Sequence, residues 1–422
     1  MKYLKTAILV LACGLVLSAC NNASGENIEL IAPEETSMLT ENCKAYVDAM
    51  RAQEAELFPA TDTTNAKYKL HDLKGEQGVS VESYLDKGTV DGKNATVSGK
   101  TPNRSDRSEG VNLKFNTNGK WEEGKYKVLV SQDQNFANAK ELEVGEDFTA
   151  NANNLLVNTQ YYWKVVVGNA SSSVGSFKTA DYPRWISGRP MFNIRDNGGY
   201  MTVTGQRVKQ GLVFRGGEIT NKSWGEHAKT NSAASKAIFR DEMKIGVELD
   251  LRGASDIGDG YKACAFAENG DIEYAQHAIK SYEQTFTNTR SEVAPIFEIL
   301  KNADQKHVYY HCYGGADRTG TIGFLLNGLL GVSYTDLVID FELTSYSSIN
   351  NEHIRNHKEG HQHQYDRWPA LINQIKTDTT GGYAYDENAL LKDNIANFLM
   401  KACNVPEATI NQIRSIMLEP AK

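Results

Sequence analysis

Cys312 and Arg318 stand six residues apart in the run HCYGGADRTG, residues 311–320. Ahead of them lies a β-like run, His307, Val308, Tyr309, Tyr310 and His311. Behind them lies an apolar helical run, Ile322, Phe324, Leu325, Leu326, Leu329 and Leu330, closed by Gly331. A strand, a tight glycine-containing loop and a helix N-terminus make an anion site. Loop N–H groups converge on the anion and the helix dipole adds positive potential. A thiol at the mouth of that loop feels the same field, so Cys312 is expected to be a thiolate at neutral pH. A phosphate monoester bound there would meet a nucleophile at its phosphorus and, in Arg318, a planar guanidinium for two of its oxygens. His311, Gly314, Asp317, Thr319 and Gly320, in this strand–loop–helix setting, separate the run from a chance cysteine–arginine pair.

HCYGGADRTG resembles the signature loop of cysteine-dependent protein tyrosine phosphatases, and within them the bacterial branch with HCxxGxDRTG typified by secreted mycobacterial tyrosine phosphatases. The resemblance extends upstream. Asn193 to Gly217 reads NIRDNGGYMTVTGQRVKQGLVFRGG, similar to that branch's entry segment, and Leu249 to Arg252 supplies its D-L-R strand end. Asp340 to Thr344, DFELT, resembles the helix after the signature helix. The likeness covers about residues 183–420. One departure matters. The mycobacterial relatives carry Lys before the loop Asp, where this chain has Ala316. Loss of that positive charge argues against a strong preference for highly anionic phosphoinositides.

The resemblance implies that Cys312 attacks phosphorus to form a phosphocysteine. The amides of Tyr313, Gly314, Gly315, Ala316, Asp317 and Arg318 would hold the equatorial oxygens, and Arg318 would bind two of them. Thr319 either donates its hydroxyl to the departing thiolate or is a satisfied helix-start residue. His311 is expected to fix the loop by hydrogen bonds and not to transfer protons. The leaving oxygen needs a proton, so an acid must lie within reach. No clear W-P-D loop appears upstream. Asp317 in the loop is the first expectation and Asp250 at the strand end the second, followed by Asp256 and Asp259. Arg252 reads equally as a second phosphate contact or as the structural partner of an aspartate. The chemistry needs no metal and no other cofactor. His353, His357 and His361, with His363 nearby, have a spacing that can bind zinc, but Gly360 interrupts the helix. A charged, His-rich lid over residues 350–378 is the expectation there.

These residues need elements to position them. Beyond a linker at Asp181–Arg184, helix and strand alternate, which predicts an α/β domain over 183–422 with a largely parallel central sheet. Strands ending at Leu251 and His311 should run parallel and place Asp250, Arg252 and the Cys312 loop at one sheet edge. Ser333 to Asp336 suits a helix N-cap. Two last helices are expected near Asp386–Ala402 and Pro406–Leu418.

The region over 78–180 has another texture. Short alternating segments at Val111–Phe115, Lys125–Ser131, Lys140–Val144, Gln160–Gly168 and Ser173–Thr179 predict a β-sandwich. Tyr161, Trp163, Val165 and Val167 should share one strand face. Leu155, Thr159 and Tyr161 resemble the L-x-x-x-T-x-Y corner of fibronectin type III domains. A spacer role is the first reading of this domain and an adhesion surface the second. Before it, residues 21–36 read as a tether and Ser37–Leu57 as an amphipathic helix.

At the N-terminus, Lys2 and Lys5 precede an apolar run from Ala7 to Leu17, with signal-peptide layout and too short for a standard span. Leu17-Ser18-Ala19-Cys20 resembles a lipobox, which implies cleavage before Cys20, lipid on that residue and stable anchoring. Asn21 in place of Asp favours the outer membrane of a bacterial envelope by analogy with lipoprotein sorting. Loss of Lys2 and Lys5 takes the formal charge from −8 to −10, which disfavours nucleic acid as a partner. With Cys20 and Cys312 so used, Cys43, Cys264 and Cys403 show no pairing pattern, and the chain is no disulfide scaffold.

The leading expectation is therefore an anchored phosphatase acting on phosphotyrosine, and also on phosphoserine or phosphothreonine if its pocket admits them. Its partners would be a phosphorylated protein or small phosphate ester and the lipid bilayer. A phosphoinositide or inositol phosphate phosphatase shares the chemistry. A surface binding or adhesion protein with a non-catalytic phosphatase-like domain is the reading of another class, opposed by intact Cys312, Asp317 and Arg318.

Overall fold

The computed structural model describes residues 20–21, 25–33, 51–60, 89–90, 93–94, 110–179, 184–187, 191–219, 233–257, 262–344 and 367–420. The chain divides into two compact units, each gathered from separated stretches of sequence.

The larger unit is built on a five-stranded sheet in the order Arg195–Asp196, Val213–Gly216, His307–His311, Ile245–Asp250, Glu273–Gln276. The first pair is antiparallel and the other three pairings are parallel. The central strand His307–His311 is buried from Val308 onward, as a strand covered on both faces must be. Its two faces feed different cores. Val308 and Tyr310 pack with the helix Asp317–Leu330, while Tyr309 packs with Phe239 and Phe266. The expected parallel pairing is present, and it sets Asp250 in register with His311.

Helix Asp317–Leu330 ends at Gly331, whose φ of 92° supplies the left-handed cap. The next helix, Tyr334–Leu343, opens on a reciprocal cap: the Asp336 amide donates to Ser333 Oγ at 3.1 Å, and that hydroxyl donates to the Asp336 carboxylate at 2.9 Å. Helices Leu391–Lys401 and Glu407–Met417 lie where the two terminal helices were expected. The last part of the segment expected to form a helical lid is described, and it is helical. Arg367–Thr377 is a packed helix whose Leu371, Ile372 and Ile375 are buried, because these apolar positions recur at helical spacing. His353, His357, His361 and His363 lie outside the described residues.

Residues 51–57 are helical and belong to this unit. Glu54 is fully buried and accepts from the amides of Tyr334 (2.9 Å) and Thr335 (3.1 Å) and from the Thr335 hydroxyl (2.6 Å). Phe58 stacks obliquely on Tyr334, with ring centroids 5.1 Å apart. The rest of the expected helix, from Ser37 to residue 50, lies outside the described residues.

The smaller unit has two antiparallel sheets. One runs Cys20–Asn21, Asn27–Ile31, Val111–Thr117, Thr149–Ala152; the other contains Ala170–Ser171, Gln160–Val167, Tyr126–Ser131 and Lys140–Glu143, with Gly175–Lys178 also on Gln160–Val167. Alternate residues are buried. Tyr161, Trp163, Val165 and Val167 form the inner face of their strand, and Phe115 of one sheet meets Tyr126 of the other at 5.7 Å. The boundaries differ from expectation. Asn27–Ile31, read as part of a tether, is a strand with Ile28 and Leu30 buried in period two. The described residues between 78 and 109 belong to neither sheet, and Asn153–Asn158 counts with the larger unit.

Candidate active site

The loop after His311 is held from outside by its carbonyls. The Tyr313 carbonyl accepts from the Glu218 amide at 2.9 Å, that of Gly314 from Asn193 Nδ2 at 2.9 Å, and that of Gly315 from Arg215 Nη2 at 3.1 Å. These three bonds hold the loop against the N-terminus of a 14-residue helix, whose dipole favours an anion there. Gly315 cannot be replaced. Its φ is 66°, and a Cβ there would stand 2.3 Å from the carbonyl carbon of Gly216.

Behind the loop, Asp340 joins the upstream motif residues into one cluster. Its carboxylate accepts from Arg195 Nε (2.9 Å), Arg215 Nη1 (2.5 Å) and the Tyr200 hydroxyl (3.0 Å). Arg195 also donates to Asn193 Oδ1. Burial raises the Asp340 pKa, but Arg215 and Arg195 outweigh it and hold the carboxyl below its ordinary value. Sequence reasoning assigned no role to Asn193, Arg195, Arg215 or Asp340 individually. Their signal was the motif match itself.

Cys312 is buried, and Arg318 lies close enough to act on it. Burial pushes the thiol pKa up, but the Arg318 charge and the hydroxyl and amide of Thr319 more than offset this and bring it below the ordinary cysteine value. Thr319 Oγ1 is itself buried with no hydrogen-bond partner among the described residues. A cleft of about 390 Å³ opens over the loop, lined by Cys312, Tyr313, Gly314, Asp317 and Arg318 on one side. Gly253, Asp256, Lys280, Ser281 and Gln284 are among the residues lining the rest.

The four acid candidates separate. Asp317 lines the cleft and accepts from the Tyr282 hydroxyl at 2.6 Å. Asp256 lines it too, and its carboxylate takes Arg318 Nη1 at 2.5 Å. Asp250 does neither. It is fully buried and bound by Arg252 Nε (2.9 Å) and Nη2 (2.7 Å) and by the Tyr274 hydroxyl (3.1 Å). Burial raises its pKa, yet His311 and Arg252 outweigh this and hold the carboxyl below its ordinary value, so it is poorly suited to give a proton. The expectation of Asp250 as acid is corrected accordingly. Arg252 is likewise no phosphate contact. Fully buried, it spans Asp250 and Glu218, the latter at 2.5 Å. Asp259 lies outside the described residues.

His311 stacks on Tyr309, with its Nε2 at 2.8 Å from Glu248 and its Nδ1 at 3.1 Å from the Cys312 carbonyl. Burial lowers its pKa, but Asp250 and Glu248 outweigh this and raise it above the ordinary histidine value. Glu248, Asp250 and His311 converge closely enough to suggest a metal site. Arg252 already supplies their countercharge on Asp250, and all three are fully buried. Tyr282 was missed entirely. No local pattern marks it, but it holds φ 54°, a costly conformation for an aromatic residue, and its amide is tied to Thr321 Oγ1 at 2.8 Å. Cys20, the expected lipid site, lies on the edge strand of the smaller unit.

No curated protein matches. Among solved structures, the core catalytic domain of the PP-IP phosphatase SIW14 from S. cerevisiae, in complex with citrate, is similar over 35% of this chain and 76% of that one, at 15% identity and a TM-score of 0.25. The model of the tyrosine phosphatase family matches residues 186–419, from ahead of the Asn193 motif to the last helix. That match spans more than half of the chain and contains the whole Cys312 loop with its supporting arginines: the chain belongs to the tyrosine phosphatase family.

Proposed function

We propose that this phosphatase hydrolyses phosphate monoesters, phosphotyrosine first among them, through a phosphocysteine on Cys312. The observation that carries the reading is a cleft lined by both Cys312 and Arg318, over a loop whose Tyr313, Gly314 and Gly315 carbonyls are bonded to the scaffold. The thiolate attacks phosphorus and the P–O bond to the leaving group breaks. Asp317, held by Tyr282, gives that oxygen a proton. Water then attacks phosphorus, Asp317 takes its proton, and the S–P bond breaks to return the thiolate. Thr319 stabilises the departing sulfur. The chemistry draws on this chain's own residues and requires no cofactor.

A second reading, a substrate with more than one phosphate, is favoured by one observation. Lys280 lines the cleft and supplies a cation that the loop lacks at Ala316. On the sequence evidence the enzyme is a bacterial envelope lipoprotein, acylated at Cys20, with a fibronectin III-like spacer. Among the described residues no helix is long and apolar enough to cross a membrane. Hydrolysis of a panel of phosphopeptides and inositol phosphates, with EDTA present and with Cys312→Ser as the control, tests the proposal. Activity retained by Cys312→Ser would refute the covalent route. Turnover confined to inositol phosphates would transfer the assignment to the second reading.

A further inference from the structure

Arg318 has one ion-pair partner among the described residues, and it is a carboxylate in the cleft wall. Nη1 donates to Asp256 Oδ2 at 2.5 Å, while Nε and Nη2 are bonded by none of the described residues. Asp256 sits on the short helix Ala254–Ile257, whose place over the loop is fixed from both sides. The Tyr313 hydroxyl donates to the Asp256 carbonyl at 3.2 Å, and the Gly253 amide points at its carboxylate at 3.3 Å. The pair is not sealed in the protein. The Arg318 side chain is 17% exposed and that of Asp256 28%, against 0% for both Arg252 and Asp250. An arriving phosphate must therefore share Arg318 with a negative charge already seated on it. Like charges around one guanidinium repel, and the repulsion acts across a partly desolvated cleft where screening is weak.

We propose that Asp256 is an internal competitor for the phosphate site: its carboxylate occupies Arg318 in the free enzyme and is displaced when the phosphate of a substrate enters. The proposal rests on the loop being a phosphate site. Its consequence is uniform. Substrate, phosphocysteine and product phosphate all face the same displacement, so binding weakens without a matching loss in the chemical step. Product phosphate leaves more readily, and loose anions are kept out of the loop. Asp256 acts here as a positioning residue, through Arg318.

Titration calorimetry of inorganic phosphate into the full chain tests this without any turnover. Asp256→Asn and Asp256→Ser, with thermal unfolding as the check on fold, should each bind phosphate about tenfold more tightly than the parent, because the competing charge is gone. KM for an aryl phosphate should fall with them, while kcat stays level or drops as phosphate release slows. In an Arg318→Ala background the substitutions should gain nothing. Equal or weaker phosphate binding by Asp256→Asn and Asp256→Ser would overturn the proposal and make the residue a brace for Arg318. Loss of the fold in both would make it structural and overturn it too. Should the parent bind phosphate no better than Arg318→Ala does, the phosphate-site reading itself fails, and the proposal with it.

Discussion

Two aspartates hold arginines around the same loop, one behind it and one in the cleft. Asp340 takes Arg195, Arg215 and Tyr200 with a side chain only 10% exposed. Asp256 takes Arg318 alone with a side chain 28% exposed. The chemistry of the contact is the same and the distances to Arg215 and Arg318 are equal at 2.5 Å. Burial decides what each pair does. A buried pair cannot be opened without stranding a charge, at about 3–5 kcal/mol, and so serves as scaffold. A pair at the water boundary is worth about 1 kcal/mol or less and can be exchanged for a ligand.

Removing the reactive group bounds everything else. Cys312→Ser should lose at least ~10³-fold in kcat with the fold intact, read by steady-state kinetics and unfolding together. Asp340→Asn should act on the fold: a loss of about 3–5 kcal/mol in denaturant unfolding, since two buried arginines lose their countercharge. If Asp256→Asn loses as much, the contrast between the two pairs is wrong. Arg318→Lys should cost about 10²-fold in kcat/KM with little change in stability, because an ammonium cannot present the planar fork. Near-normal turnover would detach Arg318 from phosphate binding.

Smaller effects sharpen the comparison among the acids. Asp317→Asn should slow alkyl and poor aryl leaving groups by about tenfold or more and spare activated aryl phosphates. Asp250→Asn should instead reduce stability and leave the leaving-group dependence unchanged, since that carboxylate is locked to Arg252. The reverse pattern would return the acid to the strand end. Least in size is the titration of the thiol. The folded pKa is depressed, so alkylation of Cys312 by iodoacetamide should persist to lower pH than for a free cysteine. Arg318→Ala should move the midpoint up. No movement would mean that Thr319 and the loop amides, not Arg318, supply the field.

The loop itself was legible because its chemistry and its secondary structure occupy adjacent residues. HVYYH reads as a covered strand, GG as a turn and the run to Leu330 as a helix, and each is found there. The buried carboxylates were not legible as such. Asp250 ends one strand and Asp256 follows six residues later, and only the fold sends one into the core with Arg252 and the other to the cleft with Arg318. Tyr282 and Glu218 reach the site from 35 residues before Asp317 and 34 before Arg252, with no periodicity to announce them. In the smaller unit the strand faces followed from alternation, while its first strands were missed because they are separated from the rest by about eighty residues of other chain.

Glu54 carries a consequence for any attempt to take the molecule apart. The chain passes between its two units five times, at residues 35–36, 109–110, 152–153, 158–159 and 179–180. No single scission therefore yields a whole catalytic half. A fragment starting at residue 184 would contain Cys312, Arg318 and Asp340, yet the Tyr334 and Thr335 amides would lose their acceptor and Tyr334 would lose Phe58. A missing cap of this kind costs about 1 kcal/mol, and the helix left ragged is the one that delivers Asp340 to the arginines behind the loop. Segments far upstream of the family's own match thus stand guard over its loop, and swapping the smaller unit between proteins would require three grafts in register, not one.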